Sequence, residues 1–119
     1  LMATFAAISG AALPHDAAED SFDISPILRG EKLTKPIRSE TVHKMNATAI
    51  RSGRWKLITH LGSGGFSKPR RSRGADGQLY DLVADPGETK NLWSANPEIV
   101  EELRARLAAI KRGTRTAPR

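Results

Sequence analysis

The sequence predicts an α+β fold: a small antiparallel sheet of three to four strands packed against a C-terminal amphipathic helix, with a partial helix at the N-terminus. Three observations predict it. β-branched residues cluster at Ile37, Thr41, Val42, Thr48 and Ile50. Ser52-Gly53 punctuates two strand-like runs, Ala47–Arg51 and Arg54–His60, as a hairpin turn does. Ile99, Leu103, Leu107 and Ile110 recur at helical spacing and define one apolar stripe. A sheet this small needs a helix on one face to be stable.

Taken in order, Leu1, Phe5 and Ile8 fall on one helical face, and Gly10 supplies a stop. Nothing before Leu1 can cap that helix, and no basic flank of a secretory signal accompanies it. The chain is therefore expected to be the C-terminal part of a longer protein. Residues 11–24, rich in Ala, Asp and Pro, read as a loop. Ser25 can cap a short helix with Pro26 in its first turn and Gly30 at its end. In the second run of the hairpin, Trp55, Leu57 and Thr59 share one strand face; Lys56, Ile58 and His60 share the other. Residues 62–77 hold five glycines and a basic cluster without apolar period, which marks a long loop. Gln78–Leu82 reads as another strand, closed by the turn Asp85-Pro86-Gly87. Asn96 at the N-cap, Pro97 at the first position and Glu98 in the first turn then open the last helix. Gly113 ends it, and a flexible basic tail follows over 113–119.

Composition sets limits on chemistry. The 119 residues contain no cysteine, which excludes disulfides, thiolate metal sites and a cysteine nucleophile from this segment. No apolar run approaches the ~18–20 residues that span a bilayer, so no membrane partner is expected. The net charge of +6 is uneven. Residues 29–73 carry twelve Lys/Arg against Glu31 and Glu40, densest at Lys68, Arg70, Arg71 and Arg73. Such a segment attracts polyanions, or is a solvated face with no partner. A small basic nucleic-acid-binding module is accordingly one reading. Against it, Trp55 and Phe66 form no interleaved stacking platform.

No complete catalytic constellation appears. His15, His43 and His60 lack metal-ligand spacing. Gly62-Ser63-Gly64-Gly65-Phe66-Ser67-Lys68 can offer backbone N–H groups and an ammonium to an oxyanion, but Pro69 follows where a phosphate-binding loop has Ser or Thr. Asn46-Ala47-Thr48 is a nominal glycosylation sequon. Asp81, Asp85 and Glu88 surround Pro86-Gly87, where carboxylates cap turn backbone.

Two strings resemble a known family. Ile50-Arg51-Ser52-Gly53-Arg54-Trp55-Lys56-Leu57-Ile58 resembles the hairpin of type I, formylglycine-dependent sulfatases of the bacterial arylsulfatase-like kind. Gln78-Leu79-Tyr80-Asp81-Leu82 with Asp85-Pro86-Gly87-Glu88 and Asn91-Leu92 is similar to a segment that follows it in the same family. The resemblance covers nearly all of residues 1–112. It implies that residues 1–35 end an alkaline-phosphatase-like α/β catalytic domain and that 36–112 form the C-terminal subdomain. It implies hydrolysis of sulfate esters with a formylglycine nucleophile and Ca²⁺, both supplied upstream of Leu1, so this segment alone is expected to be inactive. The family's C/S-x-P-x-R motif is absent here. Expected partners are the N-terminal catalytic domain of the same chain and a sulfated small molecule or glycan, in the periplasm or outside the cell. Val42-His43-Lys44-Met45 departs from the "VHHS" of the subgroup after His43. His43, Lys44, Gly64, Gly65 and Lys68 are the candidate substrate-binding residues, with no catalytic or metal-ligating residue in the segment. A purely structural subdomain stands beside that reading.

Overall fold

The computed structural model describes residues 1–44, 47–62, 74–113 and 116–117, in two compact units: 1–39 with 110–119, and 40–109. The second unit is built on a four-stranded sheet. β1 (Glu40–Lys44), β2 (Thr48–Ser52), β3 (Trp55–Ile58) and β4 (Gln78–Asp81) lie in sequence order, each antiparallel to the next. The β2–β3 register pairs Ser52 with Trp55, leaving a two-residue turn at Gly53-Arg54. Gly53 has φ +55°, the left-handed conformation that such hairpin turns require.

That register puts Val42, Ile50, Leu57 and Leu79 in one cross-strand row. Ile50, Leu57 and Leu79 have no exposed surface at all. α1 (Met2–Ser9) and α2 (Ser25–Leu28) precede the sheet, and α3 (Pro97–Arg112) follows it with Val100, Leu103 and Leu107 buried. Val100, rather than Ile99, completes the stripe with Leu103 and Leu107; Ile99 and Ile110 are half-buried. The Arg106 guanidinium reaches Glu40 Oε1 at 2.7 Å and ties α3 to β1 on the side of this core. Each such apolar side chain contributes roughly 1.5–3 kcal/mol when buried.

The free edge of β4 is closed by chain that follows it. Asn91 Oδ1 accepts from the Leu79 N–H, Asn91 Nδ2 donates to the Gly77 carbonyl, and the Leu92 N–H donates to the Leu79 carbonyl. Trp93 then lies against Gly77 so closely that a Cβ there would collide with the indole and with the Ile58 carbonyl.

In the first unit, the buried residue of α1 is a polar one. Thr4 is 1% exposed; its hydroxyl accepts from the Ile24 N–H at 3.1 Å and donates to the Phe22 carbonyl at 3.4 Å. Leu1, Phe5 and Ile8, the apolar face read from the sequence, are exposed. The loop backbone beside α1 needs hydrogen-bond partners, and Thr4 supplies them. Gly10 ends α1 at φ +70°. At α2 the N-cap is Ile24, without a side-chain cap, and Ser25 is the first helical residue; the Asp23 carboxylate accepts from the Ser25 N–H at 2.8 Å and the Ser25 hydroxyl at 3.1 Å. Pro26 lies in the first turn. The guanidinium of Arg38 stacks on Phe22 and donates to the Asp20 carbonyl. Thr116 donates through its N–H and hydroxyl to Asp20 Oδ1.

Candidate cleft on the outer face of the sheet

Alternation along a strand puts neighbouring residues on opposite faces. Opposite to the Ile50–Leu57–Leu79 core lie Thr41, His43, Ala49, Arg51, Lys56, Ile58, Gln78 and Tyr80. On this face His43 stands opposite Ala49, and Arg51 stands between Thr41 and Lys56. Ala49 has only a methyl group between larger neighbours. The space it leaves is a cleft of about 200 Å³, lined by His43, Ala49, Arg51, Lys56, Leu82 and Glu88.

Its charges are unequally satisfied. Lys56 Nζ donates to Glu88 Oε1 at 2.6 Å and Oε2 at 2.8 Å, so that pair is neutral and fixed. The side chain of Arg51 is exposed and has no ionic or hydrogen-bonding partner among the described residues. The His43 ring is exposed on the far side of Ala49. Glu88 holds φ +54°, an uncommon conformation for a residue with a side chain. The cleft therefore presents a net positive, donor-rich wall with one carboxylate already neutralised.

The strand brings His43 to this cleft. It sends Lys44 to the opposite face, across from Thr48. Gly64, Gly65 and Lys68 lie outside the described residues, as does Asn46. The base of that glycine-rich segment is described: Gln78 Nε2 donates to the His60 and Gly62 carbonyls at 2.7 and 3.0 Å, and the Tyr80 hydroxyl donates to Gln78 Oε1 at 2.6 Å. Burial and the nearby Glu88 and Asp85 carboxylates push the Tyr80 phenol up. His60 Nδ1 accepts from the Gly62 N–H, and His15 lies exposed in the first unit.

Asp81 and Asp85 have structural roles. Asp81 forms a two-pronged ion pair with Arg54 and accepts from the Val83 and Ala84 N–H groups. Those donors, Arg54 first, hold its carboxyl below the usual range. Asp85 accepts from the Lys90 and Thr89 N–H groups and from the Thr89 hydroxyl, and is lowered likewise. Among the described residues no three His, Asp or Glu side chains are grouped as they would be around a metal ion.

Sequence reasoning missed Arg51, Lys56 and Glu88 as neighbours. The signal for the first two was present: a two-residue turn that pairs Ser52 with Trp55 must pair Arg51 with Lys56 one row further on. Glu88 carried no such signal, because it reaches Lys56 from beyond β4.

Comparison with known proteins places these features. No family model matches the chain. It is 33% identical over 114 residues to an N-acetylgalactosamine-6-O-sulfatase of Bacteroides thetaiotaomicron, a match that covers 93% of this chain. A solved Bacteroides thetaiotaomicron structure, BT33336S-sulf, described with the metabolism of multiple glycosaminoglycans, is similar over 95% of this chain, with 35% identity and a TM-score of 0.75. A 2-O GAG sulfatase is similar over 92% of the chain, with 29% identity and a TM-score of 0.61. The chain spans 22% of the length of the first of these relatives, and 24% and 23% of the two solved chains. No helix among the described residues is long and apolar enough to cross a membrane. With its four-stranded antiparallel sheet, C-terminal helix and short N-terminal helix, the chain matches the C-terminal part of sulfatases.

Proposed function

We propose that this chain is the C-terminal fragment of a sulfatase whose full-length form hydrolyses sulfate esters on a glycan, and that the fragment helps to shape the substrate pocket. One observation carries the proposal: a TM-score of 0.75 at 35% identity over 95% of the chain to a solved sulfatase-type structure. In this reading residues 1–35 end the catalytic domain and 36–112 form the accessory subdomain. The formylglycine nucleophile and Ca²⁺ that the sequence resemblance implies are assigned to residues outside the chain, and the parent protein is exported.

The fragment's own contribution is recognition. His43 is supported by its exposed ring lining a cationic cleft. Gly64, Gly65 and Lys68 are proposed as donors from the glycine-rich segment, and Lys44 as a contact from the opposite face of β1. A sulfate ester carries its charge on oxygens directed outward, so backbone N–H groups and cationic side chains are the complementary chemistry.

The test is sulfate release by the full-length protein from 6-O-sulfated and 2-O-sulfated saccharides, beside the 119-residue chain alone. Release by the full-length protein and none by the chain is the expected result. Release by the chain alone overturns the division of labour; no release from any sulfated saccharide overturns the activity.

A further inference from the structure

We propose that the cleft lined by His43, Ala49, Arg51, Lys56, Leu82 and Glu88 is an oxyanion subsite. It takes a second acidic group of the saccharide, a carboxylate or a further sulfate ester, with Arg51 as the principal donor. The inference rests on the sulfatase reading and adds to it a residue that selects charged, extended substrates over single sulfated sugars.

One cationic side chain in the cleft is left without a counter-charge among the described residues. Of the two permanent cations that line the cleft, Lys56 already holds a carboxylate. Arg51 holds none among the described residues, although it stands directly opposite Lys56 in the sheet. A guanidinium offers a planar fork of donors that fits the paired oxygens of a carboxylate or sulfate. Glu88 does not repel such a group, because Lys56 takes both of its oxygens.

The shape of the cleft limits what it can take. About 200 Å³ is smaller than the roughly 300–1,000 Å³ of a site that engulfs a whole small molecule, so the cleft suits one substituent and one edge of a sugar. Ala49 provides the floor and Leu82 an apolar wall for ring C–H groups, with the His43 ring on the far flank. The cleft has no aromatic lining apart from the imidazole, so it offers no platform for stacking nucleobases.

The experiment is titration calorimetry on the full-length protein with two probes: a sulfated monosaccharide, and a sulfated tetrasaccharide that also carries carboxylates. Arg51→Met and Ala49→Asp are each expected to weaken tetrasaccharide binding about tenfold, while the monosaccharide is bound as before. Arg51→Lys keeps the charge without the fork and is expected to retain part of the affinity. Ala49→Asp leaves Arg51 in place, so concordant losses cannot come from misfolding of one variant. Unchanged tetrasaccharide binding in Arg51→Met, or equal weakening of both probes, overturns the subsite. Sulfate release by the unaltered protein is measured in parallel, so a failed sulfatase reading shows as absent turnover and a failed subsite as unselective binding.

Discussion

The Lys56 ammonium is held between both carboxylate oxygens of Glu88, at 2.6 and 2.8 Å, although the two residues are 32 positions apart. The pair joins the middle of β3 to the turn after β4. It also accompanies the left-handed backbone of Glu88, φ +54°, in a turn where Gly87 is the residue freer to adopt that conformation. Both side chains are about 30% exposed, so the Coulomb gain is modest, up to about 1 kcal/mol. The contact serves chiefly to position the turn against the cleft.

Glu88→Gln keeps the shape and removes the charge. Its expected effect on stability is a loss of no more than about 1 kcal/mol, read as a small drop in denaturant midpoint with an unchanged slope. A larger loss would show that the turn depends on the ion pair for its conformation.

Gly77→Ala is expected to cost more. The added Cβ meets the distal edge of the Trp93 ring and the Ile58 carbonyl, and the latter is backbone that cannot swing aside. Overpacking of this kind costs about 1–3 kcal/mol, visible as a lower thermal midpoint together with a changed Trp fluorescence. A variant as stable as the original would mean that β4 and the Asn91–Trp93 segment can separate freely.

Leu57→Ala removes a fully buried side chain from the centre of the sheet. A loss of about 2–5 kcal/mol is expected by chemical denaturation, whereas Val83→Ala at an exposed position should fall within about 0.5 kcal/mol.

Acid should loosen the β3–β4 region. The Asp81 and Asp85 carboxyls are lowered, chiefly by the Arg54 ion pair and by the Lys90 N–H respectively. A group whose folded pKa is depressed stabilises the fold above its unfolded pKa, and that stability is lost as pH falls through the lower folded value. Unfolding midpoints should therefore hold from neutral pH to the usual carboxylate range and decline below it. Asp81→Asn should flatten the decline while lowering stability at neutral pH.

Short-range physics was written plainly in the sequence. The Gly53 turn follows from one glycine between β-branched runs, and Leu103 and Leu107 follow from spacing. In the first unit the misread positions share one cause: a backbone group needed a partner that local pattern does not announce. Thr4 is buried because the Phe22–Ile24 backbone requires its hydroxyl, which left Phe5 and Ile8 exposed. Ser25 lies inside α2 rather than at its cap, with its N–H and hydroxyl both donated to Asp23. In the cleft, His43 and Arg51 were legible from strand alternation. Glu88 was not, since only the folded turn brings it to Lys56.

Asn91 and Leu92 occupy the backbone donors and acceptors along the outside of β4, so further sheet growth is barred on that flank. β1 pairs only with β2 among the described residues and presents the opposite margin. Any strand contributed by another part of the polypeptide, or by a second molecule during aggregation, must add there, beside Glu40 and Lys44, whose charges oppose indiscriminate self-association.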